Sequence, residues 1–305
     1  MLKHFISLKY FSKKKLISLI KLTAEIKKNP QKFKNKLKGK KIGILFEKPS
    51  LRTKTAFYIG SYELGAFPIY FSPFEVNLGK RESISDVAKT LSRFLDCIVL
   101  RTFSHKTILE LCETSAIPVV NGLTDLLHPS QVLGDLFTLC ELRKDLKKIK
   151  FTYIGDGNNV CHSLLYAFSI LGGKITVATP KKYSPNSAIV EEAKKISKIS
   201  EAKINLVNDP FLAAKDADII YTDVWVSMGK EKEKKERMKA FKKFQVNEEI
   251  LKLAKKNCLI MHCLPAHRGE EITGSVLDSK NSVVFLQAEN RLHSAKAILV
   301  YLLSK

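Results

Sequence analysis

Short apolar runs bounded by turn residues alternate along this chain with longer stretches in which apolar positions return every three or four residues. The short runs predict strands over residues 41–46, 67–71, 97–100, 118–121, 151–154, 174–178, 204–207, 219–222, 258–262 and 283–286. Between them, Leu16, Leu19, Ile20 and Thr23 share one helix face, and Val132, Leu136, Phe137 and Cys140 share another. Continuous apolar strands that alternate with helices imply parallel sheets covered on both faces. The predicted strands divide into four and six, with a long helix over about 130–149 between the groups. The expected fold is therefore α/β: two doubly wound domains with parallel sheets, linked by this helix and by a C-terminal helix over about 292–303. Residues 230–243 are dense in charge and predict a solvated loop or surface helix. No internal repeat recurs at a fixed period.

Composition narrows the class. With 305 residues and 45% hydrophobic content, the chain can build two cores of ordinary size. It contains no run of about 18 apolar residues, so no membrane span is expected. Lysines interrupt the apolar stretch at the N-terminus, which argues against a secretory signal. Six cysteines, with no Cys-x-x-Cys pair and several inside apolar runs, fit a reducing cytoplasm. The net charge of +22 raises nucleic acid as a partner. The basic residues are spread along the chain, however, and no aromatic residues interleave with them as a base-stacking platform needs. A lysine-rich surface on an enzyme with anionic substrates is the better reading, with no nucleic-acid partner.

In open α/β sheets ligands bind beyond the carboxyl ends of the strands, so the residues after each strand carry the chemistry. After the first come Ser50, Leu51, Arg52 and Thr53 at a helix start. There free N–H groups, hydroxyls and a guanidinium suit a phosphate, although Ser50 equally fits an ordinary helix cap. The third strand is followed by Arg101. His128-Pro129-Ser130-Gln131 opens the long helix and offers a donor for a carbonyl together with an amide one turn on. In the second half, Gly155-Asp-Gly157-Asn158-Asn159 lacks the third glycine of a dinucleotide fingerprint, and no acidic residue for a ribose follows the next strand. Thr222-Asp223-Val-Trp225-Val-Ser227-Met228-Gly229 supplies a carboxylate and a hydroxyl. His262-Cys263-Leu264-Pro265-Ala266-His267 lacks a fourth ligand at a zinc spacing, so no metal is expected. Together these groups suit one phosphorylated substrate and one zwitterionic one.

These segments resemble the aspartate/ornithine carbamoyltransferase family. Ser50–Thr53 is similar to its carbamoyl-phosphate motif, and His128–Gln131 to its His-Pro-x-Gln. Asn159, the Asp223–Gly229 segment and His262–Pro265 resemble the ornithine branch, and Glu289-Asn290-Arg291 resembles the segment with its last carbamoyl-phosphate arginine. The match runs from His4-Phe5 to the final helix.

The resemblance implies a carbamoyl-phosphate-binding domain over 1–130 with helix 291–305, an ornithine-binding domain over 131–290, and a closing cleft. It also implies a homotrimer or a multiple of it, because a neighbouring subunit completes each site. Asn77 stands where the family usually supplies Gln across that interface. Leu51 and Lys54 stand where it usually has Thr and Arg. Carbamoyl phosphate is expected on Ser50, Leu51, Arg52, Thr53, Asn77, Arg101, His128, Gln131, Cys263, Leu264 and Arg291. Ornithine is expected on Asn159, Asp223, Ser227 and Met228. Arg52, Arg101, His128 and Cys263 are the expected catalytic set. The neutral side-chain amine of ornithine attacks directly, giving citrulline and phosphate in arginine metabolism, with no cofactor. The intact Ser227-Met228-Gly229 loop favours an acceptor that carries an α-carboxylate over putrescine.

Overall fold

The computed structural model describes residues 4–143 and 145–304. Met1–Lys3, Lys144 and Lys305 fall in the predicted N-terminal stretch, long helix and last helix, and lie outside the described residues. The chain forms two compact units, Met1–Glu141 with Glu289–Lys305, and Leu142–Ala288.

The first unit holds four parallel strands, β1 (Lys41–Phe46), β2 (Phe67–Phe71), β3 (Cys97–Arg101) and β4 (Val119–Leu123), in the order β2-β1-β3-β4. Strand order reverses between β1 and β3, the position at which such sheets open a crevice. Phe46 pairs with Arg101, and the Glu47 N–H donates to the Arg101 carbonyl at 2.8 Å. This register sets the Ser50 loop beside Arg101. Ile42, Ile44 and Phe46 are buried, as are Val99 and Leu100, so both central strands face apolar layers. The helix Lys13–Lys28 buries Leu16, Leu19, Ile20 and Thr23, the face expected from their spacing.

The second unit holds β5 (Lys150–Ile154), β6 (Lys174–Ala178), β7 (Lys203–Val207), β8 (Ile219–Thr222) and β9 (Leu259–His262), all parallel, in the order β7-β6-β5-β8-β9. The order reverses between β5 and β8. Thr222 pairs with His262, so Asp223 and Cys263 leave neighbouring strands side by side. Its core includes Ile154, Ile220, Trp225, Phe241 and Ile260.

The two-sheet α/β fold is as expected, with three local corrections. Residues 283–286 are not a tenth strand. Ser282 makes one bridge to Ile260, and the chain then enters the helix Val284–Leu303, which starts about eight residues before the expected last helix. A four-residue apolar run cannot distinguish a strand from the first turn of a buried helix. The long helix spans Pro129–Arg143 and stops short of residue 149. Past it, the Asp145 side chain accepts from the Lys147 N–H at 3.0 Å, a local bond that competes with helix continuation. Residues 230–243 do hold the expected surface helix, Lys234–Phe241, but it buries Arg237 and Phe241 rather than being wholly solvated.

Candidate active site

In the first unit, Ser50 caps the helix Leu51–Glu63, its Oγ accepting from the Thr53 N–H at 3.2 Å. The cap shapes a tight first turn that leaves the earliest N–H groups of the helix without intrahelical partners, the arrangement an anion needs. Both readings of Ser50 are thus compatible. Thr53 is buried, and its Oγ1 takes a bond from Arg291 Nη2. Gly134 permits this, because any side chain there would press on Arg291 and Ser294 at 3.2–3.5 Å. Helix Val284–Leu303 therefore delivers Arg291 to the Ser50 turn.

His128 is buried just before Pro129, with Nδ1 3.4 Å from Ser130 Oγ. Burial, then the charges of Arg291 and Arg101, hold its pKa well below the usual imidazole range. It is a neutral imidazole at physiological pH and offers one N–H. Gln131 lies on the first turn of the helix, buried, with Nε2 donating to Asp135 Oδ1 at 2.9 Å. His128 thus stands within electrostatic reach of Arg291 and of Arg101, the last residue of β3. Leu51 is 74% exposed, so any role it has there is carried by its backbone. Lys54 lies over the Tyr70 ring, Nζ 3.6 Å from the centroid. Asn77 sits apart, exposed on the loop after edge strand β2 with φ of 34°, the left-handed region that Asn tolerates.

In the second unit, the loop after β5 turns through Gly155 at φ 146°. Gly157 is required, since a Cβ there would stand 2.3 Å from the Pro185 nitrogen. Asn158 caps the helix Asn159–Leu171, its Oδ1 accepting from the Val160 and Cys161 N–H groups at 3.0 and 3.1 Å. Its Nδ2 donates to Asp223 Oδ2 at 2.7 Å. Asp223 Oδ1 accepts from the Val224 N–H at 2.8 Å and from the Cys263 thiol at 2.9 Å. Asn159 is the first residue of that helix, beside Asn158. Ser227 and Met228 occupy the turn between β8 and the helix Lys234–Phe241, where Ser227 O accepts from the Lys230 N–H and Met228 is 45% exposed.

Sequence reasoning missed the residues that hold this turn. Arg237 donates from Nη1 to Asp156 Oδ2 at 2.9 Å and to the Trp225 carbonyl at 2.8 Å, and from Nε to Glu233 at 2.8 Å. Its guanidinium lies 4.6 Å over the Tyr183 ring. Burial pushes Asp156 up to about 6 even though Arg237 opposes the rise. The only signal in the sequence was an arginine among lysines. Asn158 did carry a signal, since Asn before an apolar helix is a favoured cap.

After β9, Leu264 adopts φ of 56° and precedes a cis bond to Pro265. Its N–H donates to His262 Nδ1 at 2.9 Å, and His262 Nε2 meets buried Glu271 at 3.0 Å. Asp223, His262 and Cys263 lie close enough to share an ion, as do His267, Glu270 and Glu271. In the first set both imidazole nitrogens are already bonded, which leaves two donors, fewer than a structural metal site uses.

Family models match both halves of the chain. Residues 3–141 match the carbamoyl-P binding domain of aspartate/ornithine carbamoyltransferase, and residues 147–302 match its Asp/Orn binding domain. The chain belongs to the aspartate/ornithine carbamoyltransferase family. Its relatives place it with the ornithine carbamoyltransferases. It is 48% identical to the catabolic ornithine carbamoyltransferase of Thermoplasma volcanium, over 96% of both chains. It is 45% identical to the ornithine carbamoyltransferase of Methanocaldococcus jannaschii, over 99% of both. The solved enzyme of Pyrococcus furiosus superposes with a TM-score of 0.94 at 42% identity, covering 97% of this chain and 96% of that one. The anabolic enzyme of Campylobacter jejuni gives 0.95 at 40%, covering 99% of both.

Proposed function

We propose that the chain transfers the carbamoyl group of carbamoyl phosphate to the side-chain amine of L-ornithine, giving citrulline and phosphate. The observation that carries this reading is the bond between Cys263 and Asp223. The two motifs expected to select the acceptor are 40 residues apart in sequence and touch at the ends of adjacent strands.

Carbamoyl phosphate occupies the helix start at Ser50–Thr53, with Arg52, Arg101 and Arg291 meeting its charge. Arg101, Thr53 and the neutral His128 donate to the carbamoyl oxygen, where charge develops as the amine adds. Gln131 and the carbonyls of Cys263 and Leu264 accept from its NH₂. Asp223, with Asn159, Ser227 and the Met228 backbone, holds the α-groups of ornithine. Direct transfer requires both substrates in one ternary complex, and positioning supplies much of the acceleration. Arg52, Arg101 and His128 are the catalytic groups. Cys263 joins them as a substrate contact: its thiol, a hydrogen donor to Asp223, serves to orient rather than to attack. The ornithine amine must be neutral, so activity rises with pH above neutrality. His128 adds no limb near its ordinary value of 6.5, because it is already neutral there.

The working assembly is a homotrimer or a multiple of one, with Asn77 reaching a neighbour's site from its exposed loop. The compartment is the cytoplasm, a reading the six free thiols favour. The metabolic setting is arginine metabolism. Citrulline formation from carbamoyl phosphate, with ornithine, putrescine and aspartate offered in parallel, tests the reaction. Product from ornithine alone is expected, and preferential turnover of either other acceptor refutes the assignment.

A further inference from the structure

We propose that Asp135 is the positioning residue that makes the donor pocket prefer a carbamoyl phosphate over an acyl phosphate. The inference rests on the reading that carbamoyl phosphate is the donor. A glutamine amide has a donating end and an accepting end of nearly equal shape, so its orientation is set by its neighbours. Gln131 and Asp135 stand one turn apart on the helix Pro129–Arg143, at the i, i+4 spacing that brings side chains together. Both are buried, 1% and 0% exposed. A carboxylate accepts but does not donate, so it holds Gln131 by the NH₂ end, Nε2 to Oδ1 at 2.9 Å. Oε1 of Gln131 is then the end left over, and it is buried with no hydrogen-bond partner among the described residues.

A buried acceptor without a partner keeps the full cost of its lost hydration. The NH₂ of a carbamoyl group supplies the missing hydrogen and removes that cost. The methyl of an acetyl group supplies none and leaves it in place. Sites built to meet a substrate N–H or O–H reject analogues that lack it far more strongly than apolar pockets reject a change of size. Reversing the amide would present NH₂ to NH₂ and abolish the preference, and Asp135 blocks that reversal.

The test uses the full chain with three ligands: carbamoyl phosphate as substrate, acetyl phosphate and inorganic phosphate as competitive inhibitors. Asp135→Asn keeps size and a polar head but can donate as well as accept, so Gln131 is no longer held one way. The KM for carbamoyl phosphate should rise about tenfold, comparable with one weakened buried bond. The inhibition constants of acetyl phosphate and phosphate should stay within about twofold, because neither uses the Gln131 oxygen. In a Gln131→Ala background, Asp135→Asn should add nothing, since a residue that acts through another loses its effect when that one is removed. Equal weakening of all three ligands, an additive double mutant, or an unchanged KM would each overturn the proposal. If Asp135→Asn melts early, Asp135→Glu provides the second test: it keeps a carboxylate and should retain the preference. A wild-type chain that makes no citrulline overturns the donor assignment itself, and this inference with it.

Discussion

The strand ends of the first unit and those of the second handle charge in opposite ways. Around β1 and β3 the chain gathers Arg52, Arg101 and Arg291 and keeps His128 neutral among them. Around β5, β8 and β9 it gathers carboxylates, and each meets a donor: Asp223 takes Asn158, Val224 N–H and the Cys263 thiol, Asp156 takes Arg237, and Glu271 takes His262. A phosphorylated ligand brings its own negative charge, so its pocket is built from cations and N–H groups. A zwitterion brings both signs, so its pocket is held by pairs. Positioning in the first unit thus comes from helix ends, and in the second from a network of bonded side chains. Such networks are costly when one member is lost.

The sharpest way to break this contrast is Arg237→Leu. The Arg237 side chain is 7% exposed and its partner Asp156 11%. Removing one member of a buried pair costs about 3–5 kcal/mol, because the other must stay buried without its partner or take up a proton. Denaturant unfolding should report a loss of that order. The turn carrying Ser227 and Met228 also loses its tether to Asp156 and Trp225. The KM for ornithine should therefore rise well beyond that for carbamoyl phosphate. Equal changes in both would show that the network does not serve the acceptor half.

Arg52→Gly probes the other side. Turnover should drop about 10²–10³-fold, the usual loss for one oriented donor. Normal kinetics in this variant would remove Arg52 from the catalytic set.

The two halves were unequally legible in sequence, for the same reason that they differ in build. The donor motifs are local: Ser50–Thr53 and His128–Gln131 each lie within four residues at a helix start, a pattern legible without any distant partner. The strands were legible because parallel strands are continuous apolar runs. Arg237 and Asp156 are 81 residues apart, and nothing in either neighbourhood marks them as partners. Read by composition, residues 230–243 are a solvated run; only the packing of Phe241 among Tyr183, Trp225 and Phe244 turns that helix inward. Residues 283–286 misled for a different reason, being apolar in a stretch too short to show any period.

The pH dependence of stability sharpens the comparison further. In the folded chain Asp156 is raised from 3.8 to about 6, chiefly by burial. A carboxyl that holds its proton more tightly when folded favours the native state at low pH. That contribution is complete below the unfolded value near 4 and is lost as pH rises through about 6. A rise of this size corresponds to about 3 kcal/mol. Asp96, Glu141 and Asp218 are all lowered and act in the opposite sense, losing stability as pH falls. The measurement must therefore be the difference between wild type and Asp156→Asn. Between about pH 4 and 6.5 that difference should move against the wild type as pH rises, by an amount of this order. A flat difference would mean that Arg237 holds Asp156 ionised throughout.

The smallest effect, and the one that bears most on mechanism, is expected at Cys263. A cysteine beside a histidine at a strand end suggests a nucleophile and a carbamoylated intermediate. The bonding argues otherwise. The thiol donates its hydrogen to Asp223, and His262 has Nδ1 taken by the Leu264 N–H and Nε2 by Glu271, so the imidazole is not free to accept the thiol proton. The neutral amine of ornithine is itself a capable nucleophile, and a covalent step would gain little. Loss of an obligatory nucleophile costs about 10⁶ in turnover. Loss of one hydrogen bond to a charged group is about 1.5–3 kcal/mol, roughly a 10–100-fold change. Cys263→Ala should therefore remain active, with most of its defect in the KM for ornithine, because Asp223 is left with one donor fewer. Cys263→Ser keeps a donor and should lie closer to wild type. Mass spectrometry of the wild-type chain mixed with carbamoyl phosphate alone should find Cys263 unmodified. An alanine variant at background activity, together with a trapped carbamoyl adduct on Cys263, would replace direct transfer by a two-step mechanism.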